Sequence, residues 1–226
     1  MPVRPVTNDA LRTELADTIA AYRPDQWLRV AVDGAPAAGP GALADGLAEG
    51  LRLRGRPVLR VRAADFLRPA SLRFEHGRTD PDALRTDWLD AGGLAREVLD
   101  PLEPAASGRV LPALWDAETD RASRAGYVEL PPGGVLLLDG SLLLGHGLRV
   151  DLTVHLAMSQ AALARQTDAT ERWTLPAYQR YADEVGPERH ADVVVLVDHP
   201  NRPAIRHNRA LDPTAPGAAG GRQRPG

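Results

Sequence analysis

The sequence predicts an α/β fold built on a parallel sheet with helices on both faces. Three observations carry this prediction. Short apolar runs at 28–32, 57–61, 135–138, 152–156 and 192–197 alternate with segments of helical spacing. The first run leads through Gly34-Ala-Pro-Ala-Ala-Gly39-Pro40-Gly41 into a helical stretch, which is the strand–loop–helix setting of the phosphate-binding frame G-x-x-x-x-G-K-[ST]. The run at 135–138 ends on Asp139-Gly140, at the same carboxyl edge as that loop, where open α/β sheets take their ligands.

The elements follow in chain order. Asn8 or Asp9 caps a first helix with Leu11, Leu15 and Ile19 on one face, and Pro24 ends it. A buried strand covers 28–32. Helical spacing of Leu43, Leu47 and Leu51 predicts a helix over 42–53, closed by Gly55. A second strand covers 57–61. Residues 65–90 are polar, rich in Arg and Asp, and take no clear assignment. A helix over 92–99 stops at Pro101, and 103–134 reads as irregular, with Pro112, Pro131 and Pro132. Strands at 135–138 and 152–156 come next. Ser159 caps a helix running to Arg165, a polar stretch covers 166–172, and a short helix covers about 176–184. The last strand is 192–197. From Arg206 the chain is rich in Pro, Gly and Ala and reads as a disordered tail, leaving 1–205 as one domain.

Composition narrows the classes. A chain of 226 residues is long enough to bury one good core. Its net charge of −3 gives no basic footprint for nucleic acid. It has no cysteine, so neither a disulfide framework nor a thiolate metal site is expected. No apolar signal core opens the chain and no run reaches membrane-spanning length, so a cytoplasmic, soluble protein is expected.

The loop has the frame but not the reactive groups of its motif. In a working loop, backbone N–H groups cradle phosphate, the Lys neutralises it, and the Ser/Thr hydroxyl holds Mg²⁺. Here the Lys position is Pro40, which also lacks an N–H, and the Ser/Thr position is Gly41. All 27 basic residues are arginine, so no lysine elsewhere can substitute. The main chain of Gly34, Ala35, Ala37, Ala38, Gly39 and Gly41 remains as the candidate anion cradle. Losing one charge-assisted contact costs on the order of 1.5–3 kcal/mol.

Three further segments extend the pattern in order: Asp65-Phe-Leu-Arg-Pro69; Leu99-Asp-Pro-Leu102 with Pro112-Ala-Leu-Trp-Asp116; and Val135-Leu-Leu-Leu-Asp139-Gly140. With the loop, these resemble the uridine kinase-like branch of P-loop nucleoside kinases over roughly residues 28–203. The resemblance implies a three-layer P-loop NTPase fold with a five-stranded parallel sheet and a small lid. It implies ATP and Mg²⁺ as cofactors, and a nucleotide and a small-molecule substrate as partners. It leaves homo-oligomerisation open.

Residue by residue, the resemblance makes Asp65 and Asp139 the catalytic acids, with Asp139 also the metal ligand. Ala64 stands where relatives carry their usual Asp, and Leu67 replaces a polar Tyr or His. Asp82, Arg68, Trp115 and Asp116 match substrate-contacting positions. Arg165 and Arg172 lie in the stretch where relatives carry phosphate-clamping lid arginines. On their own terms these residues have plainer uses. Asp139 fits a turn, Asp33 fits a backbone-bonding turn residue, and Asp65 fits a pair with Arg68. Trp88 and Trp115 fit packing, and His155, alternating within a strand, is most simply structural. Two functions stay open: a kinase acting on a nucleoside or small hydroxylated metabolite with an impaired loop, and a pseudokinase that binds nucleotide or metabolite and acts through a partner.

Overall fold

Strands buried on both faces must be covered on both, and the alternation along each strand shows how. Val30 and Val32 join Val135, Leu137, Val154 and Val195 in one apolar cluster, beneath Leu15, Ile19, Leu47 and Leu51. Ala31, Val61, Leu136 and Leu138 face the other way, onto Phe66, Leu94, Val98 and Leu99. The result is three layers, with a sheet between two helical covers.

The computed structural model describes residues 2–209. The chain runs through β1 (Arg4–Pro5), α1 (Asn8–Ala21), β2 (Leu28–Gly34), α2 (Pro40–Leu53), β3 (Val58–Arg62), α3 (Ala70–Arg73), α4 (Pro81–Thr86) and α5 (Ala91–Leu94). Two small ribbons follow: β4 (Arg109–Val110) pairs with β7 (Val128–Glu129), and β5 (Trp115–Asp116) pairs with β6 (Arg121–Ala122). Then come β8 (Val135–Gly140), β9 (Leu152–Ala157), α6 (Gln160–Gln166), α7 (Leu175–Arg180), α8 (Pro187–His190), β10 (Val193–Leu196) and β11 (Ala204–His207).

The sheet has seven strands in the order β1-β11-β10-β9-β2-β8-β3, not the five expected. The parallel part, β3-β8-β2-β9-β10, matches the expectation. The two additional strands are antiparallel: β11 returns along β10, and β1 pairs with β11. Neither carried a strand signal, because Pro5 and Pro203 interrupt the local pattern.

Other boundaries shift for local reasons. The cap of α1 is Thr7, whose hydroxyl accepts the Ala10 N–H at 3.2 Å, not Asn8 or Asp9. Helix α2 starts at Pro40, two residues early, because proline suits the first turn. The helix expected at 92–99 is the short α5 running into a π turn (Ala95–Leu99), and the 176–184 helix is α7 followed by a second π turn (Tyr181–Val185). Ser159 caps α6 as expected. The tail expected from residue 206 is corrected at its start, since Arg206 and His207 belong to β11, and the rest of that expectation, over 210–226, lies outside the described residues. No helix among the described residues is long and apolar enough to cross a membrane.

Candidate functional site

The loop between β2 and α2 folds on itself. Residues Pro36–Ala38 form a 3-10 turn. The Ala38 N–H donates to the Ala35 carbonyl at 2.8 Å, and the Gly39 N–H to the Pro36 carbonyl at 3.0 Å. Gly39 sits at φ +73°, a left-handed conformation that glycine adopts without strain, and this turns the chain into α2. Two candidate cradle donors are thus spent inside the loop. Pro40 supplies none and its ring is buried. The first-turn amides of α2, at Gly41 and Ala42, remain at the helix N-terminus.

Asp139 ends β8 beside this turn, in register with Val32 of β2 and Arg62 of β3. Its carboxylate lies so close to Gly41 that a Cβ there would stand 3.3 Å from Oδ2. The strand thus brings Asp139 to the loop position where the motif has its hydroxyl. The Asp139 carboxylate already has a cation. Arg60 of β3 bonds Asp139 through Nη2 and Asp45 of α2 through Nη1. The side chain of Arg60 is 18% exposed and that of Asp139 9%.

Asp65 follows β3 in a 3-10 turn (Ala63–Phe66) and is also paired. Arg62 donates to both its oxygens, at 2.9 and 2.8 Å, not Arg68. Arg68 acts through its main chain: its N–H meets the Trp88 carbonyl at 2.8 Å, and its carbonyl accepts from Arg73 at 2.7 Å.

The remaining candidates sit in structural contacts. Asp82 is ion-paired with Arg180, and Arg85 with Glu184 at 2.9 Å, so α4 is clamped to the segment formed by α7 and its π turn. Trp173 packs against Trp88 with ring centroids 5.7 Å apart, and Phe74 meets Trp88 edge-on at 5.6 Å. Trp115 donates its indole N–H to Asp120 at 3.1 Å. Asp116 accepts from the Thr119 hydroxyl at 2.6 Å and from the Glu118 N–H at 3.0 Å, which holds its pKa below the ordinary value. Their ribbon adjoins Asp65 through the Leu114 N–H, 2.9 Å from the Asp65 carbonyl. Arg165 and Arg172 are exposed, and among the described residues neither hydrogen-bonds or ion-pairs with the loop.

The most buried polar group at this edge is Asp33, with no exposed surface. Its Oδ1 accepts the Leu143 N–H at 2.9 Å; its Oδ2 meets His155 Nδ1 at 2.7 Å and the Tyr181 hydroxyl at 2.9 Å. The Tyr181 oxygen accepts the Leu144 N–H at 2.9 Å. Burial, reinforced by Asp33, holds the Tyr181 hydroxyl protonated well above the ordinary tyrosine range. His146 is pushed down, first by burial and then by the charges of Arg85 and Arg68. In the sequence Asp33 fits a turn and His155 a strand, with nothing to join them. The missed signal was positional: both sit at the same level of adjacent parallel strands, and the ladder pairs them directly.

A parallel sheet, a loop of this frame at its carboxyl edge and an acid-ended neighbouring strand define the P-loop kinase type of α/β fold. A protein described as a possible uridine kinase from Bacillus stearothermophilus superposes with a TM-score of 0.65, at 24% identity, covering 81% of this chain and 96% of its own. D-glycerate 3-kinase from Cryptococcus neoformans superposes with a TM-score of 0.60, at 15% identity, covering 83% of this chain and 95% of its own. No family model matches the sequence, and no curated protein matches it. The likeness to these kinases is therefore one of fold.

Proposed function

We propose that this chain is a pseudokinase: a P-loop kinase fold that binds a nucleoside-like or other small hydroxylated metabolite without transferring phosphate, and acts through a protein partner in the cytoplasm. The observation that carries this is the placement of Arg60. Its guanidinium bridges Asp139 and Asp45 beside Gly41, so a fixed side-chain cation occupies the acid that a metal would need. One arginine shared by two carboxylates leaves no positive charge over for a phosphate.

ATP and Mg²⁺ rest on the resemblance, and the residues present do not fit them. The ammonium and the hydroxyl are missing, two amides are turned inward, and both expected acids are paired with arginine. Among the described residues, no three His, Asp or Glu side chains converge as metal ligands. Losing a single charged contact worth about 2.8 kcal/mol already lowers a rate about a hundredfold.

Calorimetry with ATP and GTP, with and without Mg²⁺, tests this directly. The expected result is no Mg²⁺-dependent nucleotide binding by the natural chain. A Pro40→Lys, Gly41→Ser, Arg60→Met triple variant should gain it. Transfer of labelled phosphate to uridine or glycerate by the natural chain, above a no-protein control, overturns the proposal in favour of an impaired kinase.

A further inference from the structure

A cavity of about 380 Å³ opens at the same sheet edge on the side of α6 and α7, bordered by Gly34 and Ala35 but not by Asp139, Arg60 or Gly41. Its volume falls in the range of small-molecule sites. Its body is apolar, formed by Leu142, Leu156, Met158 and Leu163, with the ring of Tyr178. Two polar ends face this body. At the buried end stands His155; at the rim stand Glu188, Arg189 and Arg206.

The chemistry of the two ends is set by their partners. A carboxylate only accepts, so the Asp33 contact at 2.7 Å puts the proton of a neutral His155 on Nδ1. The second ring nitrogen, Nε2, is then an acceptor. It has no hydrogen-bond partner among the described residues, while the ring borders the cavity. Asp33 is itself fixed by Leu143 and Tyr181, so the imidazole is held in one orientation. At the rim, Arg206 pairs with Glu188 at 3.4 Å. Arg189 is exposed and has no carboxylate partner among the described residues, so the rim carries one uncompensated positive charge.

The geometry points to a binding site for an amphipathic organic anion. Its hydroxyl or ring N–H donates to His155 Nε2, its apolar body fills the cavity, and its carboxylate or phosphate meets Arg189. This deepens the reading of the chain as a binding module and rests on it. Asp33 is a positioning residue: it orients the imidazole and does not border the cavity, while Tyr181, which does border it, holds Asp33 through its hydroxyl. The selective feature is that a ligand filling the cavity covers Nε2, which is open to the cavity and without a protein partner among the described residues. A ligand lacking the donor leaves Nε2 desolvated and unpaired, which costs on the order of 1–3 kcal/mol.

Two probes separate the two head groups: 4-hydroxycinnamate for carboxylate and uridine 5′-monophosphate for phosphate. Binding is read by calorimetry on the full chain without Mg²⁺. At least one probe should bind, and Arg189→Met should weaken it by about fivefold or more. Ala182→Trp, placed at the cavity rim, should abolish binding with the fold intact. His155→Gln should weaken the hydroxylated probe but not cinnamate, which lacks the donor. Nitrogen-15 NMR of the natural chain should show Nδ1 protonated, and Nε2 bare until the probe is added. Binding that survives both Ala182→Trp and Arg189→Met overturns this site and leaves the binding-module reading standing. No response to either probe at millimolar concentration overturns the site as well. Phosphate transfer by the natural chain would instead remove the non-catalytic reading, while the Ala182→Trp comparison would still decide the cavity.

Discussion

Replacing Arg60 with Met isolates the contact on which the functional reading depends. The change keeps most of the apolar stem and removes only the guanidinium. Asp139 is then left nearly buried, at 9% side-chain exposure, with its cation gone. Removing one partner of a buried pair costs about 3–5 kcal/mol. The residual exposure of both side chains puts this pair at the lower end, about 3 kcal/mol. The second arm contributes little, because Asp45 is 78% exposed and surface pairs are worth about 0–1 kcal/mol. Urea unfolding followed by circular dichroism measures the loss. A double-mutant cycle with Asp139→Leu then separates the pair from the stem, and a coupling of about 2 kcal/mol is expected. The functional arm adds millimolar Mg²⁺. It should raise the midpoint of Arg60→Met, whose carboxylate is now open, and leave the natural chain unchanged. Additive single effects, or a loss below about 0.5 kcal/mol, would show that Arg60 does not hold Asp139.

Three other outcomes follow from the geometry. Thr7→Ala removes the hydroxyl that caps α1 and should cost about 1 kcal/mol in urea unfolding, whereas Asn8→Ala should cost much less. Gly140→Ala places a Cβ 2.6 Å from the Ala63 Cβ, so the turn carrying Asp65 must shift, at a cost of about 1–3 kcal/mol by the same assay. Burial pushes the Tyr178 hydroxyl from the ordinary 10.0 up to about 12, so the folded state favours the neutral form. Its contribution is complete below pH 10 and lost as pH rises towards 12, a fall of roughly 2–3 kcal/mol that should be shallower in Tyr178→Phe.

The parallel core was legible because its signals are local. Runs such as Val135-Leu-Leu-Leu138 need no partner to declare a buried strand, and the frame from Gly34 to Gly41 declares its own turn. What the sequence withheld was cross-chain chemistry. Arg60 alternates with Leu59 and Val61 and reads as an ordinary solvent-facing charge, yet it reaches two acids, one of them 79 residues away. Asp33 and His155 lie 122 residues apart, and only the strand ladder makes them neighbours. Asp82 and Asp116 stand out in the sequence through their motifs. In the structure one is held by Arg180 and the other by its own turn, since a carboxylate takes whatever donor the fold brings nearest. Trp88 reads as a packing residue, and its contacts with Phe74 and Trp173 agree.

The two rims of the sheet end differently, and this bears on self-association. At one rim, β1 is two residues long and Pro5 offers no N–H, so it gives an approaching strand almost nothing to dock on. At the other rim, β3 carries the exposed Arg62, a charge that opposes edge-to-edge stacking of neighbouring molecules. Arg62 thus guards solubility while it holds Asp65. Arg62→Leu would strip this rim of its exposed charge, and light scattering at high protein concentration should rise with the change.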